Sequence, residues 1–182
     1  MARQTSNRAP GTKPMFVEDI ITRTGARVAL AVGRLLIGWI FLWAFIDKLF
    51  GLGFSTQPQA AWIRGDTPAQ GYISGIEEPL AGIFQPLFLN PFGDWLFMVG
   101  LAGLGLALML GVGLKIAAVT GTLLLGFMWL SQFPPVVGGT NPITTSHWVE
   151  AALVIISALT LAGDTWGLGR WWAGKVGNSW LR

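Results

Sequence analysis

The sequence predicts an all-α integral membrane protein: a four-transmembrane-helix bundle with a structured extracytoplasmic loop between spans 1 and 2. Three observations lead there. Hydrophobic residues make up 52% of the chain and charged residues only 12%, a balance typical of membrane proteins and not of soluble globular domains. Four apolar stretches, 28–50, 95–114, 116–133 and 147–161, match or approach the about 20 residues that cross a bilayer. Basic residues gather at the two ends of the chain and at Lys115, which suits a membrane-facing role and no nucleic-acid module.

The first segment, 1–26, reads as a basic cytoplasmic tail with Arg3, Arg8, Lys13 and Arg23 around Pro10, Gly11 and Pro14. A short interfacial helix from Val17 to Arg27 is expected within it, and the tail either sets topology or docks on a partner. It is too polar for a cleavable signal peptide, and no small-residue cleavage site follows the first apolar run, so the first span is expected to act as an uncleaved signal anchor. The absence of cysteine excludes disulfide relays and iron–sulfur clusters made by this chain alone.

The membrane domain, 27–163, is organised around Val28 to Phe50, which carries Arg34, Asp47 and Lys48. At about 100° per residue, Gly38, Phe41, Phe45 and Lys48 share a face with Arg34 over about 21 Å, and Asp47 points away. Charges in hydrocarbon face the bundle interior or an interface. Arg34 therefore either pairs structurally or snorkels, or it holds an anionic or quinone-like headgroup. Lys48 either anchors at the interface or binds an anion beneath the outer loop. Asp47 and Lys48, as sequence neighbours, face different directions and are not expected to pair. Trp39 and Trp43 either pack or line a pocket for a flat ring. Most other tryptophans lie near span ends, as belt residues do.

Residues 51–94 form the outer cap, since a structureless connection of this length is unusual. Thr67-Pro68-Ala69-Gln70 has the pattern of a capping box with proline at the first helical position. Glu78-Pro79 breaks or restarts the helix. Leu80 to Phe92 is interrupted by Gly82, Pro86 and Pro91, too broken for a fifth span. Trp62, Arg64, Asp66 and Tyr72 belong to this cap, which either only packs on the bundle or serves function.

In the second span Gly103, Ala107 and Gly111 form a stripe for close helix packing, and Ala118, Thr122 and Gly126 do so in the third. Gly103-x-Gly105 and Gly111-x-Gly113 lack the preceding strand of a nucleotide loop. Pro134 and Pro135 end the third span. Thr144, Thr145 and Ser146 offer caps for the fourth, Glu150 suits its first turn, and Gly163 ends it. His147, the sole histidine, shares a helical face with Glu150. The pair either caps the helix locally or handles protons at the outer surface, as in quinol oxidation. No ligand cluster for a metal is visible. The tail 164–182, with Arg170, Trp171, Trp172 and Lys175, reads as an amphipathic cytoplasmic segment on the membrane surface. The positive-inside rule places both termini in the cytoplasm and the loops 51–94 and 134–146 outside.

The run Arg34-Leu-Leu-Ile-Gly38-Trp-Ile-Phe41 followed by Lys48-Leu49, the small-residue second span and the segment Gly163 to Gly169 resemble the DoxX family of four-helix membrane proteins. The likeness covers about residues 28–170. Where that family often has glycine three residues before the lysine, this chain has Phe45, whose ring would fill a cleft that relatives leave open. Trp62 with Asp66-Thr-Pro looks most like the DoxD branch, which is linked to thiosulfate–quinone oxidoreduction with a second small subunit. The basic tail and many tryptophans also resemble actinobacterial members, some of whose small membrane proteins accompany a respiratory cytochrome supercomplex.

The resemblance implies a subunit of a quinone-linked respiratory or redox complex in the bacterial plasma membrane, auxiliary and without a covalently bound redox cofactor. Its partners would be lipid, other membrane subunits and a quinone, menaquinone or ubiquinone. Arg34, Trp39, Trp43, Lys48, Trp62 and Arg64 are the candidates for holding quinone or anion, and His147 and Glu150 those for moving protons. An enzyme subunit of the thiosulfate–quinone oxidoreductase type and a purely structural packing protein are the alternatives.

Overall fold

A computed structural model describes residues 13–77, 80–132 and 144–182. The expectations for Arg3, Arg8, Pro10, Gly11, Glu78, Pro79, Pro134 and Pro135 lie outside the described residues. The described chain is all-helical. Its α-helices are α1 (Val17–Ile20), α2 (Thr24–Phe50), α3 (Pro68–Ser74), α4 (Ala81–Phe88), α5 (Pro91–Leu110), α6 (Leu114–Leu130), α7 (Ser146–Leu159) and α8 (Gly169–Val176). Short 3-10 turns cover Pro58–Ala60, Trp62–Arg64 and Ala162–Asp164. Two helices, α2 and α5, are long and apolar enough to cross a membrane; α6 and α7 are shorter apolar helices.

Local chemistry sets the ends of the long helices. Helix α2 stops at Gly51, at φ +64°. A Cβ there would lie 2.8 Å from Gln57 O and Pro58 Cα, so both the left-handed turn and the close approach require glycine. Helix α5 starts four residues before the expected Trp95. Asn90 caps it by accepting from Gly93 N at 3.0 Å, and Pro91 fills the first helical position, an arrangement readable in the sequence.

The four longest helices close a ring in which α2 packs on α5 and α7, and α6 packs on α5 and α7. Ile37, Phe41, Leu104, Leu108, Leu125 and Val154 are among the buried side chains of its core. Helices α2 and α5 approach backbone to backbone at two glycines. A Cβ on Gly38 would sit 2.9 Å from Leu108 Cβ, and one on Gly105 would sit 2.7 Å from the Leu42 backbone. The expected stripe is met in part: Gly111 packs on the Gly163 backbone and Ala107 against the core, but the contact with α2 falls on another residue. Gly105 makes the contact, whereas Gly103 has nothing within 4 Å of its Cβ position. On α6, likewise, Gly121 packs on Leu104 while Gly126 meets nothing within 4 Å.

At one end of the ring, α3 and α4 form a cap with its own core of Ala69, Ile73, Ile76 and Phe84. The rings of Phe84 and Phe88 meet Phe127 of α6 edge-on, at 4.5 and 5.1 Å. The Thr67 side chain does not cap α3 as its sequence pattern suggests. Asp94 of α5 does so instead, accepting from Ala69 N at 2.9 Å.

At the other end, residues 13–20 are strapped onto the last segment of the chain and do not form a free tail. Val17 is fully buried and donates its N–H to Asp164 Oδ2 at 3.0 Å. Asp164 forms a buried ion pair with Arg182 at 2.9 Å. The Phe16 ring lies under the guanidinium groups of Arg170 and Arg182, 5.2 and 5.4 Å from its centroid. Glu18 bridges Arg170 and, at 2.6 Å, Arg27. The expected Val17–Arg27 helix is broken at residues 21–23, and α2 begins at Thr24.

Two predictions follow from this packing. Gly105→Ala should lower stability by about 1–3 kcal/mol through overpacking, whereas Gly103→Ala should leave the melting temperature in detergent unchanged or raise it. The second concerns Glu18, whose carboxyl is held below its ordinary value first by a hydrogen bond from its own backbone N–H and, less strongly, by the Arg170 and Arg27 charges, with the loss of hydration opposing them as the second-largest effect. A lowered acid pKa stabilises the fold above the ordinary carboxylate range, and this contribution is lost as pH falls through the lowered value. Hydrogen-exchange protection of the 15–20 segment in wild type should therefore fall on acidification toward that of Glu18→Gln, and the two should converge at low pH.

Candidate functional site

The Arg34 side chain is fully buried at the strapped end of the ring. Its guanidinium has five N–H donors, and the structure gives each a backbone carbonyl. Nε donates to Ala162 O at 3.3 Å. Nη1 donates to Leu108 O and to Met109 O, the latter at 3.0 Å. Nη2 donates to Thr165 O at 3.2 Å and Trp166 O at 2.9 Å. Leu108 and Met109 are in the last turn of α5, where carbonyls lack helical partners and the helix dipole is negative. The segment 161–168 is wound to deliver the others: Leu161 and Trp166 adopt φ +51° and +53°, which for bulky residues is strained. It is pinned further by Leu168 N donating to Leu110 O at 2.7 Å. Gly163 and Gly111 touch there, since a Cβ on Gly163 would fall 2.1 Å from Gly111 O. Arg34 is a clamp between α2, α5 and the segment after α7, with no donor left for a headgroup.

The other end of the α2 face is also committed internally. Asp47, expected to point away, is buried. It accepts from Phe54 N at 3.3 Å, Ser55 N at 2.9 Å and Ser55 Oγ at 2.6 Å. Lys48 Nζ donates to the same Ser55 Oγ at 3.2 Å, so the two neighbours are joined through one hydroxyl. Phe45 packs against the main core. Trp39 is half exposed on the outside of the ring, and Trp43 packs between Trp39 and Phe54. Trp62 stacks edge-on against Trp95 at 4.6 Å, while Arg64 is exposed beside it with no ion pair among the described residues. His147 Nδ1 lies 3.2 Å from Thr145 Oγ1, and no hydrogen bond or ion pair joins it to Glu150. The candidates are thus distributed over both ends and the outer face, and the structure does not bring them together.

What the fold does assemble is a groove of about 750 Å³ between α5 and α6, roofed at the cap end by α3. Gly100, Gly103 and Ala107 form its floor on α5, with Ile116, Ala117, Leu123 and Phe127 on α6. From Ile116 to Met128 it runs about 18 Å. The walls are apolar except for Thr120 and, at the cap end, Tyr72, the only tyrosine. Tyr72 Oη lies 2.5 Å from Ser131 Oγ, and Ser131 Oγ in turn donates to Met128 O at 2.8 Å. Tyr72 Oη also reaches Met128 O at 3.4 Å, so two hydroxyls and one carbonyl form a small polar cluster at the cap end of the groove. Among the described residues there is no group of three or more histidine, cysteine or acidic side chains placed to hold a metal.

The fold and site define an all-helical protein with two helices long and apolar enough to span a membrane and an apolar groove beside one of them. No protein-family model, curated protein or solved structure matches the chain.

Replacing Arg34 tests the clamp. Lysine has three donors on one atom and cannot reach five diverging carbonyls. Arg34→Lys should cost about 3 kcal/mol or more, the scale of breaking a buried charged network, as read from thermal unfolding in detergent.

Proposed function

We propose that the chain is a four-span membrane protein and an auxiliary, DoxX-like subunit of a quinone-linked respiratory or redox complex, with the α5–α6 groove holding the isoprenoid chain of the quinone. The observation that carries this reading is the groove itself. It is about 18 Å long and apolar, with the Tyr72 hydroxyl at its cap end, as a hydrophobic chain with a hydrogen-bonding head requires.

Membrane insertion of all four helices is supported by what they leave uncovered. Leu36, Val99, Leu123 and Leu159, one on each long helix, are 57–71% exposed. Apolar surface of this extent marks lipid or partner contact. Helix α6, with 17 residues, is at the lower limit of about 17 for a spanning helix. Helix α7 has 14 residues, about 21 Å, and the buried turn Ala162–Asp164 continues it toward the strapped end. Lys13, Arg23, Arg27, Lys115, Arg170, Lys175 and Arg182 all belong to that end, which by the positive-inside rule supports reading it as the cytoplasmic end and the cap as the outer end.

An auxiliary role is supported by how the polar residues of α2 are used. Arg34 and Asp47 hold backbone, and Lys48 is tied to Ser55. The quinone head would lie near Tyr72 and Ser131. The head would meet the two hydroxyls there, and the groove would store or pass the molecule on to a redox-active neighbour.

The experiment is purification from the native membrane in mild detergent, with mass spectrometry of retained quinone and proteins. Wild type should retain quinone and travel with haem-containing subunits. Gly100→Leu with Gly103→Leu, which fills the groove without touching the core, should reduce retained quinone at least about tenfold while the protein stays folded. Equal retention by wild type and the filled variant would overturn the groove assignment. A small complex without haem proteins that reduces quinone with thiosulfate would overturn the auxiliary role.

A further inference from the structure

At the strapped end the acidic side chains are taken up by arginine and backbone. Glu18 bridges Arg170 and Arg27, and Asp164 pairs with Arg182 and accepts from Val17 N. Asp19 accepts from Phe16 N at 2.8 Å. The lysines of that end are left over. Among the described residues no carboxylate lies within ion-pair distance of Lys13, Lys115 or Lys175. The fold nevertheless gathers these lysines around one turn, the turn that ends α8. Asn178 Nδ2 donates to Lys13 O at 3.1 Å, and Lys115 Nζ donates to Ser179 O at 3.1 Å. Lys175 lies in the last turn of α8, just before them. Like charges gathered in this way repel, a cost that a bound anion removes.

A second observation separates this surface from a merely solvated charge cluster: uncovered indoles lie beside the lysines. Gly169 and Ala173 are the buried side of α8. A Cβ on Gly169 would fall 2.5 Å from Gly163 C, so this side is fixed against the loop after α7. Trp171, 58% exposed, is thereby turned outward on the same face as Lys175, one helical turn away. Trp172 Nε1 donates to Leu181 O at 2.7 Å, which folds Trp180 and Leu181 back beside α8, and Trp180 is 63% exposed. A small inorganic anion would use only the ammonium groups. A phospholipid uses both features, because its phosphate attracts lysine and indoles favour the headgroup level of a bilayer.

We infer that this face seats the headgroup of an anionic phospholipid, its phosphate among Lys13, Lys115 and Lys175 and its glycerol and upper acyl chain against Trp171 and Trp180. The inference rests on the reading of the strapped end as lying at a membrane surface, and it adds the lipid class and the residues that select it. It is independent of the quinone assignment, since none of these residues lines the groove. Because Lys13 belongs to the strap and Lys115 to α6, one bound lipid would join the strap, α6 and α8.

The test is native mass spectrometry of the full chain in mild detergent, with dioleoyl phosphatidylglycerol and dioleoyl phosphatidylcholine added in equal amounts. The two lipids share their chains and differ in head charge. Phosphatidylglycerol adducts should exceed phosphatidylcholine adducts about tenfold or more, since each base near an anionic surface contributes about fivefold. Lys13→Gln with Lys175→Gln removes no side-chain hydrogen bond, because Lys13 is held through its main-chain oxygen and Lys175 makes none. This variant should keep its melting temperature and lower the adduct ratio about fivefold or more. Lys13→Arg with Lys175→Arg should keep the ratio, as should Arg64→Gln at the cap. Trp171→Ala with Trp180→Ala should weaken binding of both lipids. Equal adducts for wild type, a folded glutamine variant with the wild-type ratio, the same fall in Arg64→Gln, indole variants that bind like wild type, or displacement of the lipid by an equal concentration of glycerol phosphate would each overturn the inference. Alkaline extraction of native membranes reports separately on insertion. A chain released by alkali would overturn the four-span reading, whereas a chain that stays in the membrane and shows no headgroup preference would overturn only the lipid seat.

Discussion

One guanidinium holds the bundle closed at its strapped end. Arg34 reaches from α2 to the exposed carbonyls at the end of α5 and to the carbonyls of the segment after α7. Among the described residues no carboxylate joins it; partial charges of the backbone neutralise the cation, and the cation in turn satisfies groups that a helix end leaves orphaned. Left-handed Leu161 and Trp166 cost about 1–3 kcal/mol each, and they are tolerated because the clamp and the Gly111–Gly163 contact fix the loop around them. The strap of residues 13–20 then builds on the same loop through Asp164 and Arg170.

Glycine serves opposite purposes on the two faces of α5. Gly105 and Gly111 let backbones touch, so α5 is held hard against α2 and the segment after α7. Gly100 and Gly103 face the other way and meet nothing within 4 Å, which keeps the floor of the groove low. The tight face sets the position of α5 and the small residues on the open face set the depth of the cleft, so one helix carries both the structural constraint and the proposed binding surface. The cap completes the arrangement: Phe84 and Phe88 wedge against Phe127, bringing Tyr72 to the groove's end.

The helical character, the positions of the long helices and the inward Arg34–Gly38–Phe41 face were legible in the sequence because hydropathy and a 3.6-residue period report them directly. Asn90-Pro91 was a readable helix start that the apolar run beginning at Trp95 obscured. The partners of Arg34 were not legible, since carbonyls carry no residue identity and lie 74 to 132 positions away. The same holds for Asp94 capping α3 across 25 residues, which displaced the local Thr67 pattern. Gly103 and Gly105 are equally small, and only the packing angle of α5 decides which one is buried. The buried strap was hidden because Val17 and Phe16 sit in a sequence that is otherwise basic and polar.

The most direct measurement is photolabelling in native membranes with an isoprenoid quinone bearing a photoreactive group on its chain, followed by mapping of the labelled peptides. Labels on α5 and α6 around Gly100, Gly103 and Leu123 are the expected result. Labels confined to α2 near Trp39 and Trp43, or labelling unaffected by excess unmodified quinone, would contradict a quinone-holding groove between α5 and α6.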